Sequence, residues 1–553
     1  MAHELNEPRN RPAMPRACWP SRAWKGIAAL AAILGAGVTA TAATTPTAPE
    51  ILRAKCGVCH LEAGKLQRIT NLRKSPEGWD MTIARMGVWH KVDVSRDERK
   101  ALVKYLADHY GLAPEESQAY RFLLERQPNS QDKAPNDDLA QMCGRCHSYG
   151  RVALQRRELE EWSKLIHTHL GQFPSIEYSA LGRDRDWRDI ALVKTAGELS
   201  KLYPFQTPEW KTWKARQARN PGNAAGSWRI AGHRPGWGDY AGYMRVTARG
   251  GDRYDVQYEL HYAAGNKVTG HGEAVLYTGY EWRGDARLGN QPVRSVFALS
   301  KDGARLAGRW FLRGSDEIGA SLEAVRGDAV PRGTILSVQP ALVKAGGTAS
   351  VSVHGIEVGT KFDLGPGIKV LSATPVSAHE TRLQVEVAAS APAGWREVRA
   401  AGVSTAGATG RLAIYPQLDA IRVEPAFGIA RVGTVSGTTA PQTAQFEAIA
   451  YLNGADGKPG TDDDVRLGGV PASWRIDNHD EKAKAAEDVR FAGVMEPHGQ
   501  FLPNFAGPNP ARKGLNNVGN LKVIATVDDG ERTLSADGRL VVTVQRWNTP
   551  PLR

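Results

Sequence analysis

The sequence predicts a multidomain protein: an all-α N-terminal domain, then an antiparallel β-barrel and two immunoglobulin-like β-sandwich domains. Three observations predict it. A chain of 553 residues is too long for a single core. Up to about residue 205 apolar residues recur at helical spacing, whereas beyond about 206 they alternate one by one between Gly-rich turns. The expected divisions are 1–42, 43–205, 206–328, 329–415 and 416–553.

The first division reads as a removable leader. Arg9, Arg11, Arg16, Arg22 and Lys25 precede the apolar run GIAALAAILGAGV (26–38), and TATAA then offers a small-residue cleavage site near Ala42. The run is short for a membrane anchor, and no later stretch is apolar enough to span. The mature chain is therefore expected to be exported, and periplasmic in a Gram-negative source. Removing 1–42 takes five basic and two acidic residues and lowers the formal charge from +12 to +9. Without a concentrated basic run, that charge points to docking with protein partners and away from nucleic acid.

Of the five cysteines, Cys18 falls in the leader; Cys56, Cys59, Cys143 and Cys146 lie in KCGVCHL (55–61) and QMCGRCHSYG (141–150). Both are C-x-x-C-H, the covalent haem c attachment pattern. Near a helix end, cysteines three apart share a face, so both thiols reach the two vinyl groups of one porphyrin. The next residue, His60 or His147, then lies under the iron. APEILRAK and NDDLAQM read as the short helices that deliver the motifs. A zinc site shared by both pairs would span 84 residues between Cys59 and Cys143, far outside finger spacings, and would leave both histidines unexplained. Two haem c groups are expected, and no thiol remains for a disulfide or a nucleophile.

The two motif regions read as diverged copies. Trp79 in GWDMTIARMGVWH and Trp162 in EWSKLIHTHLGQF follow their motifs, and seven residues beyond them stand Met86 and His169. Both copies later contain ALVK, at 101–104 and 191–194. Ser95 and Glu98 form a capping box for the first of these helices, and Gly111 ends it. Seven residues are two turns along one helical face, so the expected axial pairs are His60 with Met86 and His147 with His169. His90 and Met81 are the alternatives at the first iron, His167 at the second. A thioether favours Fe(II) and raises the potential relative to a second imidazole, which would place the first haem above the second.

In RYDVQYELHYAAG (253–265), Tyr254, Val256, Tyr258, Leu260 and Tyr262 alternate with polar residues, as in a half-buried strand. Short strands with prolines and glycines follow from 329, and a second such domain begins at IRVEPAFG (421–428). No catalytic constellation is found among their scattered histidines. The loop NGADGKPGTDDDV (453–465) gathers Asp456, Asp462, Asp463 and Asp464; it departs from the EF-hand order, and a solvated turn is preferred to a calcium site.

Two C-x-x-C-H motifs ahead of a barrel and two sandwiches resemble the alpha subunit of quinohemoprotein amine dehydrogenase. CGRCHSYGRVALQRR, HLGQFPSIEYSALGRDRDW, NGADGKPGTDDD and GNLKVIATVDDG carry the resemblance across nearly all of the mature chain. It implies a periplasmic heterotrimer that oxidises primary amines to aldehydes and ammonia. A small gamma subunit would bear a cysteine tryptophylquinone, and a beta-propeller beta subunit would complete the assembly. This chain would conduct electrons to an external cytochrome c or blue copper protein. A quinone built from cysteine and tryptophan needs a free cysteine, and each mature cysteine here is committed to haem, so the amine chemistry is expected on another chain. The competing readings are a stand-alone dihaem peroxidase and a non-catalytic dihaem cytochrome with β binding modules.

Overall fold

The computed structural model describes residues 46–130, 132–173, 186–401, 410–435 and 439–544. The chain divides into Met1–Pro46 and Thr47–Arg553, and the expected leader lies outside the described residues. Among these residues no helix is long and apolar enough to cross a membrane.

The first domain is mostly helical. Helix Ala48–Ile51 passes through a π turn, Leu52–Cys56, into Gly57–His60. Pro76–His90 starts at Ser75, whose side chain accepts from the Gly78 amide. Arg96–Tyr110 starts with the expected Ser95/Glu98 box and stops at Gly111. In the second copy, Asp137–Cys143 is capped by Asn136, Leu159–Gln172 carries Trp162, and Ala196–Leu202 follows the ALVK segment. Trp79 and Trp162 are fully buried, each in its own small core.

The domain departs from all-α in one informative place. Leu72–Lys74 and Gln155–Arg157 pair as an antiparallel ladder, with Arg73 opposite Arg156 and Leu72 opposite Arg157. Counted back from Trp79 and Trp162, Arg73 and Arg156 are equivalent positions, so the ladder lies on a local two-fold axis relating the copies. Three-residue strands of charged side chains carry no readable alternation, and tertiary pairing decides them.

The region expected to be strand-like from 206 instead begins with helix Pro208–Arg219, whose cap Thr207 accepts from the Trp210 amide. Its Trp210 and Trp213 enter the core of the barrel that follows, and Trp213 Nε1 donates to Thr278 O at 2.9 Å. Eight consecutive antiparallel strands from Gly226–Arg234 to Ser315–Arg326 close the barrel, last strand on first. Arg253–Tyr262 buries Tyr254, Val256, Tyr258, Leu260 and Tyr262 on the inner face, as the alternation predicts. At Gly242 a Cβ would meet the Glu259 carbonyl oxygen at 1.9 Å, so neighbouring strands approach too closely there for any side chain.

Each of the last two domains sets a four-stranded and a three-stranded main sheet around one shared core, with smaller sheets beside them. In the first, Thr334–Gln339 pairs antiparallel with Gly347–Ile356; after Pro340 the chain changes sheets, and Leu342–Lys344 runs parallel to the last strand, Arg411–Tyr415. The second repeats the device. Ala420–Glu424 lies in one sheet, and after Pro425 Phe427–Arg431 runs parallel to Thr533–Thr543 in the other. Proline lacks the amide that would continue the ladder, which suits both switch points.

Hydrogen bonds and ion pairs tie the barrel to the helical domain. Arg283 Nε reaches Glu77, in the first turn of Pro76–His90, at 2.5 Å. Asp108 Oδ1 accepts from the Thr278 amide at 2.8 Å, and Lys104 pairs with Asp252 at 2.8 Å. On another side, His233 joins Asp239 of the barrel and Glu447 of the last domain, both at 2.6 Å.

Candidate functional site

The four cysteines of the motifs are free, with Cys59 and Cys146 exposed and Cys56 and Cys143 half-buried. Burial pushes the Cys143 thiol up to about 12, which argues against a thiolate nucleophile there. Among the described residues no group of three or more His, Cys, Asp or Glu side chains could hold a metal ion. The two cysteine pairs therefore do not converge on a zinc site.

The second motif meets its expected partner. The rings of His147 and His169 have centroids 6.5 Å apart, inclined by 57°. Two imidazoles on opposite faces of one metal, with bonds of about 2 Å, place their ring centres roughly 6 Å apart. Each ring is also oriented from behind. His147 Nδ1 lies 2.9 Å from Ser148 O, and His169 Nδ1 lies 2.8 Å from Leu165 O, one turn back on its own helix. A proton on Nδ1 donated to each carbonyl leaves both Nε2 lone pairs free, the tautomer a metal ligand requires. Burial lowers the pKa of both rings, keeping them neutral and able to coordinate. His167, the alternative, is exposed. The residues thus fit a haem iron held between His147 and His169.

The first motif is arranged differently. His60 is half-buried, and desolvation first, then the charge of Arg68, lowers its pKa. His90 acts on it in the same direction, so the helix that carries Met86 brings His90 into the electrostatic range of His60. Met86 and Met81 are half-buried on that helix, and His90 is exposed at its end. His60, Met86 and His90 therefore belong to one neighbourhood; the facing-ring geometry of the second site has no counterpart among them.

Sequence reasoning missed the charged side chains around the ladder. Arg73 is 1 % exposed and makes a two-pronged pair with Glu116, at 2.7 and 2.8 Å. Arg156 approaches Glu116 Oε1 at 3.2 Å from the other copy. Lys74 and Arg157 lie over Trp79 and Trp162, at 5.5 and 5.6 Å from the ring centres. The signal was present in the repeat itself, where basic pairs stand five and six residues ahead of each tryptophan.

The acidic loop closes on itself. Asp463 Oδ2 accepts from the amides of Ala455 and Asp456, Asp456 Oδ1 from that of Lys458, and Asp464 pairs with Arg422. The carboxylates of Asp456, Asp463 and Asp464 are thus engaged within the fold of the loop and with Arg422.

Four family models match the chain in order. They describe the quinohemoprotein amine dehydrogenase alpha subunit: haem binding over residues 46–210, domain II over 221–327, domain III over 332–415 and domain IV over 421–552. The chain belongs to this family. Its haem-binding domain is the one that contains both motifs, and the family is a subunit of an amine dehydrogenase. No curated protein matches the chain. Among solved structures, a redesigned β-barrel, mFAP1, bound to DFHBI is 16% identical and covers 19% of this chain and 94% of its own, with a TM-score of 0.17. The mouse clustered protocadherin fragment PcdhgC3 EC1-3 is 12% identical over 43% of this chain and 75% of its own, at 0.16. The Escherichia coli adhesin FdeC is 14% identical over 58% and 98%, at 0.15.

Proposed function

We propose that the chain is the dihaem electron-transfer subunit of a periplasmic quinohemoprotein amine dehydrogenase. It takes electrons from a quinone on a partner subunit, where primary amines are deaminated, and delivers them to an external cytochrome c or blue copper protein. The observation that carries this reading is the facing of His147 and His169 beside a C-x-x-C-H motif with free sulfurs.

In this reading Cys56 and Cys59 hold one haem c, and Cys143 and Cys146 the other. His147 and His169 bind the second iron; His60 and Met86 bind the first, with His90 the ligand to be excluded. Bound haem supplies one-electron chemistry. The chain's own residues hold it covalently, fix the imidazole tautomers through Ser148 O and Leu165 O, and keep water away with the Trp79 and Trp162 cores. A thioether at Met86 would set the first haem above the bis-imidazole second in potential. The redox order is tested by titrating wild type against Met86→His, which should lower the first potential.

Family membership and the use of the cysteines support the proposed partners. With all four mature thiols committed, the cysteine tryptophylquinone belongs on a small gamma subunit, alongside a beta-propeller beta subunit. Residues 1–42 would direct export. Domain limits at 43–205, 206–328, 329–415 and 416–553 are proposed with them. The repeated sheet-switching first strand supports an immunoglobulin-like reading of the last two domains.

The test is native purification followed by intact mass measurement of every bound chain. Two added haem masses on this chain and a co-purifying small quinone-staining polypeptide are expected. Absence of a Soret band, or peroxidase turnover by the isolated chain without partners, would overturn the reading.

A further inference from the structure

The two faces of the ladder differ in charge balance. Side chains alternate, so Arg73 and Arg156 share one face, and Lys74 and Arg157 lie on the other. The first face is satisfied. Glu116 stands between its two arginines, and Arg73 also donates to Phe205 O at 2.8 Å and to Gly111 O at 3.1 Å.

The second face has an excess of cations. Lys74 and Arg157 are each 5 % exposed. Lys74 Nζ donates to the Thr82 hydroxyl at 2.6 Å and forms no ion pair among the described residues. Arg157 Nε donates to Gln155 Oε1 at 2.9 Å, and its Nη1 comes only to 4.0 Å from Glu161. Glu161 is shared with Lys164 at 3.1 Å and Arg68 at 3.7 Å. Arg85, the residue before Met86, adds positive charge to both Lys74 and Arg157 and has no ion pair among the described residues. Buried cations without matched anions are costly; burial first, then Arg157 and Arg85, holds Lys74 well below the usual lysine pKa, and an anion placed beside it would offset that cost.

Their location names the anion. Arg85 and Arg157 act electrostatically on His169, while Arg68 and Glu161 act on His60. Arg85 and Arg157 thus lie in the electrostatic range of His169, and Glu161, which Arg157 approaches, lies in that of His60. Each haem carries a pair of propionate carboxylates, the class of buried anion that such cations would pair with. We propose that Lys74, Arg85 and Arg157 receive haem propionates at the junction of the two copies, forming a shared electrostatic joint that sets both reduction potentials. The proposal rests on the dihaem reading above.

The test uses the haem-loaded protein with its natural partners, read by spectroelectrochemical titration and by the propionate bending band in resonance Raman. Lys74→Met should lower at least one midpoint potential and displace that band, because an iron loses a neighbouring positive charge. Lys74→Arg should stay near wild type, and Glu161→Gln should move potentials upward. A Lys74→Met protein with two covalent haems, unchanged potentials and an unchanged band would overturn the proposal and leave these cations as structural. If that variant does not accumulate, Arg85→Gln, outside the ladder, is judged by the same two readouts. Wild-type protein lacking covalent haem would count against the dihaem reading instead.

Discussion

Trp79 and Trp162 occupy the same place in two halves of one domain, and the residues seven positions beyond them separate the halves chemically. His169 has a facing partner and a carbonyl behind it; Met86 shares its helix with His90, whose charge acts on His60. Under the proposed dihaem reading, replacing His169 by alanine should keep both haems, since thioethers would hold them, but turn one low-spin iron high-spin. Electron paramagnetic resonance would register the change, and an unaltered spectrum would remove His169 from the second iron. His90→Ala, by contrast, should leave both spin states intact if Met86 is the ligand. Glu116 offers a stability test at the same scale. Glu116→Ala strips the counter-ion from two buried arginines and should cost about 3–5 kcal/mol, measurable by thermal or denaturant unfolding.

Among the elements, those with a strong period were legible in the sequence. Arg96–Tyr110 was marked at both ends by its capping box and Gly111, and Arg253–Tyr262 by five alternating apolar residues. Overlaying the copies singled out His169, a signal independent of secondary structure, and its ring lies 6.5 Å from that of His147. Two elements escaped. Pro208–Arg219 has few apolar positions, and its tryptophans make sense only against the barrel they enter. The Leu72–Lys74 and Gln155–Arg157 strands are too short and too charged to show alternation, and their burial is a product of pairing. The barrel wall makes an element-scale prediction. Gly242→Ala would force a methyl group into the Glu259 carbonyl, and overpacking of this kind typically costs about 1–3 kcal/mol. A lowered midpoint in chemical denaturation is the expected result, with haem content unchanged.

Over the whole molecule, the domains are joined by ionisable groups with different pH windows. His233 is half-buried, which opposes its charge, but Asp239 and Glu447 prevail and raise its pKa to about 10. With an unfolded value near 6.5, its contribution is complete below that pH and disappears as pH rises through about 10. Glu281, beside the Arg283–Glu77 link, is pushed up to about 7, chiefly by burial, and its Oε1 has no hydrogen-bond partner. Its contribution is present below about 4.5 and is lost as pH rises through about 7. Melting temperatures should thus fall on alkalinisation across two adjoining windows, about 4.5–7 and about 6.5–10. Glu281→Gln should flatten the lower part of the decline and His233→Gln the upper; a decline unaffected by either would contradict the assignment.

The ladder also bears on origins. Because each strand meets its own counterpart, the contact is of the self-complementary kind that identical subunits form across a dimer axis. An ancestral half-length unit could have used this same edge to associate with a second copy of itself. Fusion would then have made that association permanent and freed each side to drift. Methionine on one and histidine on the other is a difference that a true homodimer could never have held.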